Sequence, residues 1–328
     1  MSRSSEAPVV PIIGGGPAGM SCALWLHNYG LHPLIIEKES ALGGMARRTP
    51  YRNEWLLGQP GKTGRENAAE FAAHVAALEI ETWLGATLQR LRQEDGHWRV
   101  EVAAELGARS WSGAAIVIAT GMRFAGEEWL NGVKNARRVA AAGRLHLGAA
   151  VVGEANIDWG SHVAVIGGGD NAFDVSRILA ENGVRMTVIM RSKSPKAQPL
   201  LVERLRRYQT LGLVTVMPQR TVEALDDGAS KVRIQLRGGG EIEADHVVLL
   251  FGYRPNTDQP WLAELAPATD ARGYLVVDGN METSRRGLFA AGDVANPADP
   301  CIATAIAGGT IAARHIAKRL AEERAAVP

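Results

Sequence analysis

Val9-Val10-Pro11-Ile12-Ile13 runs into Gly14-Gly15-Gly16-Pro17-Ala18-Gly19 and then into a helical stretch from Met20 to Tyr29, so strand, glycine turn and helix follow in order. The chemistry of such a turn is anion binding. Gly14 permits the tight bend, Gly16 lets backbone approach a pyrophosphate, and Gly19 lets helix and strand pack closely. The helix N-terminus then presents unpaired N–H groups to the phosphates. A second strand, Leu34-Ile35-Ile36, ends at Glu37, about 20 residues on, where a carboxylate accepts hydrogen bonds from a ribose. Gly43-Gly44 follows it. Pro11 is the misfit in this pattern, because proline cannot donate to a sheet ladder, and it predicts a bulge.

The pattern recurs. Val163-Ala164-Val165-Ile166 leads into Gly167-Gly168-Gly169-Asp170-Asn171-Ala172 and a helix through Leu179. Here the following strand, Met186 to Met190, ends in Arg191, with Lys193 and Lys196 close behind. A carboxylate at that position favours a free ribose 2′-hydroxyl, whereas a guanidinium binds a 2′-phosphate, so this unit reads as selecting NADP over NAD.

The elements that must position these turns fit the size of the chain. Its 328 residues predict about two domains, and 46% hydrophobic with 22% charged residues is an ordinary globular α/β composition. A formal charge of +1 supplies no global field to steer nucleic acid or an anionic membrane. The sequence has no apolar run of about 18 residues, and the start from Met1 to Ala7 is polar, so a cytoplasmic protein without a membrane partner is expected. Cys22 and Cys301 stand far apart with no ligand spacing, which predicts neither a disulfide framework nor a metal site. Three further segments read as strands ending in turns: Ile116 to Ile118 before Ala119-Thr120-Gly121, Val247 to Phe251 before Gly252-Tyr253-Arg254-Pro255-Asn256, and Leu288 to Ala291 before Gly292-Asp293. A last helix is predicted from Thr304 to Ala321.

Taken in order, Gly14 to Gly19, Glu37, Ala119-Thr120-Gly121, Gly167 to Ala172, Arg191 and Gly292-Asp293 resemble the two-domain pyridine nucleotide-disulfide oxidoreductases, in particular the short thioredoxin reductase branch. The resemblance covers nearly the whole chain. It implies two Rossmann-like domains, with an NADPH domain (123–245) inserted into a discontinuous FAD domain (1–122 and 246–328). It places Gly14, Gly16 and Gly19 on the FAD pyrophosphate, Glu37 on the adenosine ribose, Gly43 and Gly44 in the flavin-side loop, and Thr120 and Gly121 among the FAD-binding residues. Gly292 and Asp293 fall at the ribitol, and Thr304, Ala305 and Ile306 at the helix end aimed at flavin N1. A helix N-terminus there offsets the negative charge that two-electron reduction leaves near N1 and O2. Gly167, Gly169 and Ala172 would carry the NADPH pyrophosphate, with Arg191 and Lys196 on the 2′-phosphate.

One departure is decisive for the acceptor. The branch places a Cys-x-x-Cys shortly before the second glycine turn, and the corresponding segment, Gly143 to Gly153, contains no cysteine. Dithiol chemistry by the usual route is excluded, and Cys22, inside a Rossmann helix, reads as a small buried hydrophobe. Candidates for the group near the flavin are Tyr51 and Trp55, in the loop after Gly43-Gly44, His146, in the segment replacing the dithiol, and Cys301, just before the last helix. Cysteine-free relatives that resemble this chain are the ferredoxin and flavodoxin NADP reductases of the thioredoxin-reductase-like type. They imply a ferredoxin or flavodoxin as acceptor, although they usually extend past the last helix with an aromatic residue, and this chain has none after Phe289. The alternatives are an NADPH oxidase or small-molecule reductase, a flavin fed by another donor, and a non-catalytic redox sensor. Basic runs at Arg204-Arg206-Arg207 and Arg314-Lys318-Arg319-Arg324 read as solvated faces that an acidic ferredoxin would also suit. The family implies a homodimer.

Overall fold

The computed structural model describes residues 8–94, 96–103, 107–151, 157–296 and 298–325. The polar start from Met1 to Ala7, and Val152-Gly153 at the end of the segment that replaces the dithiol, lie outside the described residues. The chain divides into two compact units, Met1–Arg123 with Arg254–Pro328, and Phe124–Tyr253. Each is the α/β unit that its glycine turn predicts. The sequence places the return to the first domain at 246, but the strand His246–Leu249 pairs in parallel with His162–Ile166 and with Leu145–Leu147 in the second unit. The return therefore comes only at Arg254.

In the first unit, strands Leu288–Ala290, Ile116–Ile118, Val9–Ile13, His32–Ile36 and Glu81–Trp83 stand in that order in one parallel sheet. The inner strands are apolar because both faces are covered, whereas the edge strand Glu81–Trp83 is polar and only partly buried. Val10, Ile12, Ile35, Val117 and Phe289 pack beneath the helices Pro17–Asn28 and Ile302–Ala325. Ile13, Leu34, Ile36, Ile116 and Leu288 pack on the other face against Leu88, Leu91, Trp98 and Val100. Those four come from a three-stranded antiparallel sheet, Thr87–Glu94, His97–Ala103 and Arg109–Gly113.

Pro11 makes no bulge. Its strand keeps register with His32–Ile36 throughout, Pro11 lying opposite Leu34. Odd-numbered residues of the strand turn their backbone groups toward Ile116–Ile118, as the bond from Ala119 N to Ile13 O shows. Pairing on that side begins only at Ile12, so the N–H that proline lacks falls before the ladder starts.

The two long helices meet through glycine. A Cβ at Gly309 would lie 2.2 Å from Ala18 O, so only a residue without a side chain lets the backbones approach this closely. Ser21 Oγ donates to Ile306 O at 2.8 Å beside that contact. Further along, Arg319, whose side chain is 16% exposed, pairs with Glu282 at 3.0 Å and donates to Ala114 O at 2.8 Å. Removing one partner strands the other in a partly dry site. Arg319→Ala is expected to lower stability by about 2 kcal/mol, discounted for the pair's residual exposure, read as an earlier urea midpoint at unchanged slope.

The second unit repeats the plan. Val214–Met217, Arg185–Ile189, His162–Ile166, His246–Leu249 and Leu145–Leu147 form a parallel sheet in that order. The helix Asp170–Glu181 follows the glycine turn, and a three-stranded antiparallel sheet, Val222–Asp227, Val232–Leu236 and Glu241–Ala244, adds Val222, Leu225, Val232 and Ile234 to the core. No helix among the described residues is long and apolar enough to cross a membrane.

Candidate functional site

Close approach dictates the first turn. Gly14 has φ +112°, and a Cβ there would lie 2.3 Å from Ala119 O; at Gly19 it would lie 2.0 Å from Gly14 O. These two glycines weld turn, helix and neighbouring strand together. Gly16 differs: the nearest atom to a Cβ there is Gly44 Cα at 4.0 Å, so the backbone stands open in front of a helix whose first turn holds Pro17 and no acid. Gly43 and Gly44 both have positive φ, and Gly43 N donates to Gly15 O at 2.8 Å, which brings the second glycine pair against the first turn. The result is a cradle for an anion with unpaired N–H groups beside it.

Glu37 is buried at the end of the second strand. Its Oε2 accepts from Gly15 N at 2.6 Å and its Oε1 from Glu39 N at 2.8 Å. The carboxylate clamps the glycine turn while each oxygen keeps a second lone pair for a ribose hydroxyl. Thr120 and Gly121 lie at the end of Ile116–Ile118, stapled to the returning chain: Thr120 Oγ1 donates to Asn256 O at 3.2 Å, Asn256 Nδ2 donates to Thr120 O at 2.7 Å, and Asn256 N donates to Gly121 O at 3.0 Å. Asn256, 136 residues from Thr120, carries no local signal for this role.

Gly292-Asp293 sits where the two long helices begin. A Cβ at Gly292 would lie 2.7 Å from the Ala18 Cβ and 3.7 Å from the Ala305 Cβ. Asp293 Oδ1 is buried with no hydrogen-bond partner among the described residues, and burial pushes its carboxyl up to about 6. A buried acceptor without a donor calls for one from outside the protein. The last helix starts at Ile302, before the predicted Thr304, because Thr304 turns back to cap it: its Oγ1 donates to Asp299 O at 2.7 Å and accepts from Cys301 N at 3.3 Å. Ala305 is buried beside Gly292, and the first turn contains no acid.

The cysteines part company. Cys22 is fully buried in the first helix, and burial pushes its thiol far above the usual range; Cys301 is exposed beside the Thr304 hydroxyl, at 3.4 Å. Tyr51 and Trp55 share the loop before the helix Gly64–Ala77, where Tyr51 O accepts from Gly64 N at 3.1 Å and the Trp55 side chain stands in solvent.

In the second unit, Gly167 has φ +157°, and a Cβ there would lie 2.5 Å from Leu250 O, the counterpart of the Gly14 contact. Gly169 is open, with nothing within 4 Å. Where the first turn needs Gly19, this one tolerates the buried methyl of Ala172. Asp170 accepts from Gln198 N at 2.7 Å and from Gln198 Nε2 at 3.0 Å, and Lys196 N donates to Gly168 O at 2.7 Å, so the basic segment folds back against the turn. Arg191 and Lys193 are exposed, and Arg220 joins them because its N–H donates to Met190 O at 3.0 Å. Arg191, Lys193, Lys196 and Arg220 make no ion pair among the described residues. Arg220 is too far along the chain for spacing to reveal.

His146 lies on the strand Leu145–Leu147, its Nε2 3.2 Å from His246 Nδ1. Burial, then repulsion by His246, holds His146 down to about 4. With the folded value below the unfolded one, the folded state binds fewer protons at this ring, so the contribution of His146 to stability is lost as pH falls from about 6.5 toward 4, while the raised Asp293 carboxyl contributes in the opposite direction. Melting series of the wild type and His146→Phe are expected to diverge over that window, the wild type losing more stability than the variant as pH falls.

A family model described as "Pyridine nucleotide-disulphide oxidoreductase" matches residues 8–322. The chain belongs to this family. Among relatives of this oxidoreductase, the "Ferredoxin--NADP reductase" of Ignicoccus hospitalis is 31% identical over 309 residues, covering 92% of this chain and 94% of the relative. A protein of the same name from Limosilactobacillus fermentum is 29% identical, with 95% and 93% covered. Among solved structures, thioredoxin reductases of Lactococcus lactis and T. acidophilum share the fold, each with a TM-score of 0.81 over 96% of this chain and 99% of theirs, at 22% and 24% identity. The oxidoreductase is therefore an enzyme that depends on flavin and a pyridine nucleotide. The unpartnered acceptor of Asp293 and the open cradle at Gly16 fit a bound flavin nucleotide.

Proposed function

We propose that the first unit holds FAD, that the second holds NADPH, and that the enzyme passes electrons from NADPH to a ferredoxin or flavodoxin. The observation that carries this reading is the contrast between two matching glycine turns. One is followed by a buried acid, Glu37, and the other by the unpaired cations Arg191, Lys193, Lys196 and Arg220. An acid suits the hydroxyls of the FAD adenosine, and the cations suit a 2′-phosphate. Bound FAD supplies an acceptor for an electron pair that can be released one electron at a time.

The chain's own residues bind and orient. Gly14, Gly16, Gly19, Gly43 and Gly44 shape the pyrophosphate cradle, with Thr120 and Gly121 flanking it. Gly292 brings Asp293 to the ribitol, and Thr304, Ala305 and Ile306 present the helix end to the flavin. Gly167, Gly169 and Ala172 hold the second pyrophosphate. The thiols argue against a disulfide acceptor: with Cys22 buried and Cys301 alone, the chain has no pair to relay electrons to a disulfide. The names of the relatives support a ferredoxin. A homodimer belongs to this reading on the family resemblance, and sedimentation tests it.

The deciding experiment is anaerobic stopped-flow absorbance of the purified holoprotein after mixing with NADPH or NADH. Rapid bleaching by NADPH and slow bleaching by NADH is the expected result. No bleaching by either would overturn the reading in favour of another donor or a sensor.

A further inference from the structure

The loop from Arg47 to Arg65 combines two features that rarely coincide without a partner. Trp55 is 85% exposed and Leu57 100% exposed, although both are large and apolar. Loose packing does not explain this, because the backbone on either side is tied. Asn53 N donates to Lys62 O at 2.8 Å, Gly64 N to Tyr51 O at 3.1 Å, and Arg65 N to Thr49 O at 3.0 Å. At the tip, Trp55 N donates to Asn53 Oδ1 at 3.0 Å and Gln59 N to Leu56 O at 3.2 Å. At the base, Thr63 and Glu66 form a reciprocal capping box on the helix Gly64–Ala77. Two apolar side chains are thus held out in water by an ordered hairpin, which is how interface anchors are presented.

The second feature is charge. From Arg47 to Arg65 the chain carries Arg47, Arg48, Arg52, Lys62 and Arg65 against Glu54 alone. Arg47 and Arg48 only approach Glu39, at 3.9 and 4.0 Å, and Lys62 pairs with Glu70 at 2.5 Å, whereas Arg52 and Arg65 make no ion pair among the described residues. The basic runs elsewhere are neutralised in part, although Arg204, Arg207, Arg314 and Arg324 also make no ion pair among the described residues. Arg206 pairs with Glu203 at 2.6 Å, Lys318 with Glu322 at 3.8 Å, and Arg319 with Glu282 at 3.0 Å, so those charges are partly spent on their own surface. An apolar tip rimmed by uncommitted cations complements an acidic partner with an apolar centre. The loop also springs from the Gly43-Gly44 turn, which contacts the first glycine turn.

We propose that this loop docks an acidic ferredoxin, with Trp55 and Leu57 as apolar anchors and Arg52 and Arg65 steering the approach. This rests on the reading of the enzyme as a reductase of such carriers, and it names the surface that receives the carrier.

The test is isothermal titration of the purified holoprotein with an oxidised [2Fe–2S] ferredoxin of acidic isoelectric point, at low and high salt. Leu57→Asp and Arg52→Glu are each expected to raise Kd at least tenfold, and Arg52→Glu to flatten its salt dependence, while melting temperatures stay at the wild-type value. Arg65→Glu provides a third variant should either of the others melt early. Wild-type Kd in the variants, or no binding by the wild-type protein, would overturn the proposal. So would a dimer that Leu57→Asp dissociates in sedimentation with ferredoxin binding unchanged, since the loop would then meet a second copy. Titration needs no electron transfer, so intact ferredoxin binding without bleaching by NADPH would leave the docking surface standing and remove the reading beneath it.

Discussion

Gly14→Val is expected to give a protein that purifies without flavin or fails to accumulate. The residue has φ +112°, which side-chain-bearing residues rarely adopt, and its Cβ would lie 2.3 Å from Ala119 O and 2.7 Å from Ala119 C. Both obstacles are backbone, in the chain that leaves Ile116–Ile118, so relief requires parting two paired strands of the central sheet. Overpacking and forced backbone geometry together cost about 3 kcal/mol or more. Gly169→Ala is the matched control, because a Cβ there meets nothing within 4 Å and φ is extended. The flavin-to-protein absorbance ratio decides. A Gly14→Val protein with a full complement of flavin would contradict the cradle, and a Gly169→Ala protein that lost its flavin would show the loss to be nonspecific.

The second large effect concerns coenzyme choice. Arg191→Glu is expected to lower kcat/KM for NADPH about 100-fold and to leave NADH nearly unchanged. A hydrogen bond to a charged group contributes roughly 1.5–3 kcal/mol, equivalent to about 10- to 100-fold, and an acid at that position adds repulsion of a phosphate. Arg220→Glu, brought to the same sheet end by the bond from its N–H to Met190 O, is expected to have a smaller effect in the same direction. Steady-state rates with both coenzymes test this, and equal losses with NADPH and NADH would remove the 2′-phosphate role from Arg191.

Local chain geometry made the framework legible. A strand, a glycine turn and a helix within one stretch are held together by neighbours in sequence, so Gly14 to Gly19 and Gly167 to Ala172 announced both units. Glu37 and Arg191 stand at fixed offsets for the same reason. Pro11 misled because its strand neighbours are remote: whether a missing N–H matters depends on where pairing with Ile116–Ile118 begins. The boundary at 246 failed likewise, since an apolar strand with no sequence mark of its sheet joined His162–Ile166.

The sequence by itself determined the two glycine turns, the opposite charges that follow them and the lack of a cysteine pair, because each is written in contiguous residues or in composition. Only the tertiary structure decided which distant groups come together beside those turns. It joined Asn256 to Thr120 and the Arg220 backbone to Met190 beside Arg191, and it buried Asp293 Oδ1 where two helices begin without a donor among the described residues. It also held Trp55 and Leu57 out in water in a loop whose Arg52 and Arg65 make no ion pair among the described residues. Contacts between residues far apart in the chain depend on how sheets and helices pack, and no spacing along a single strand encodes them.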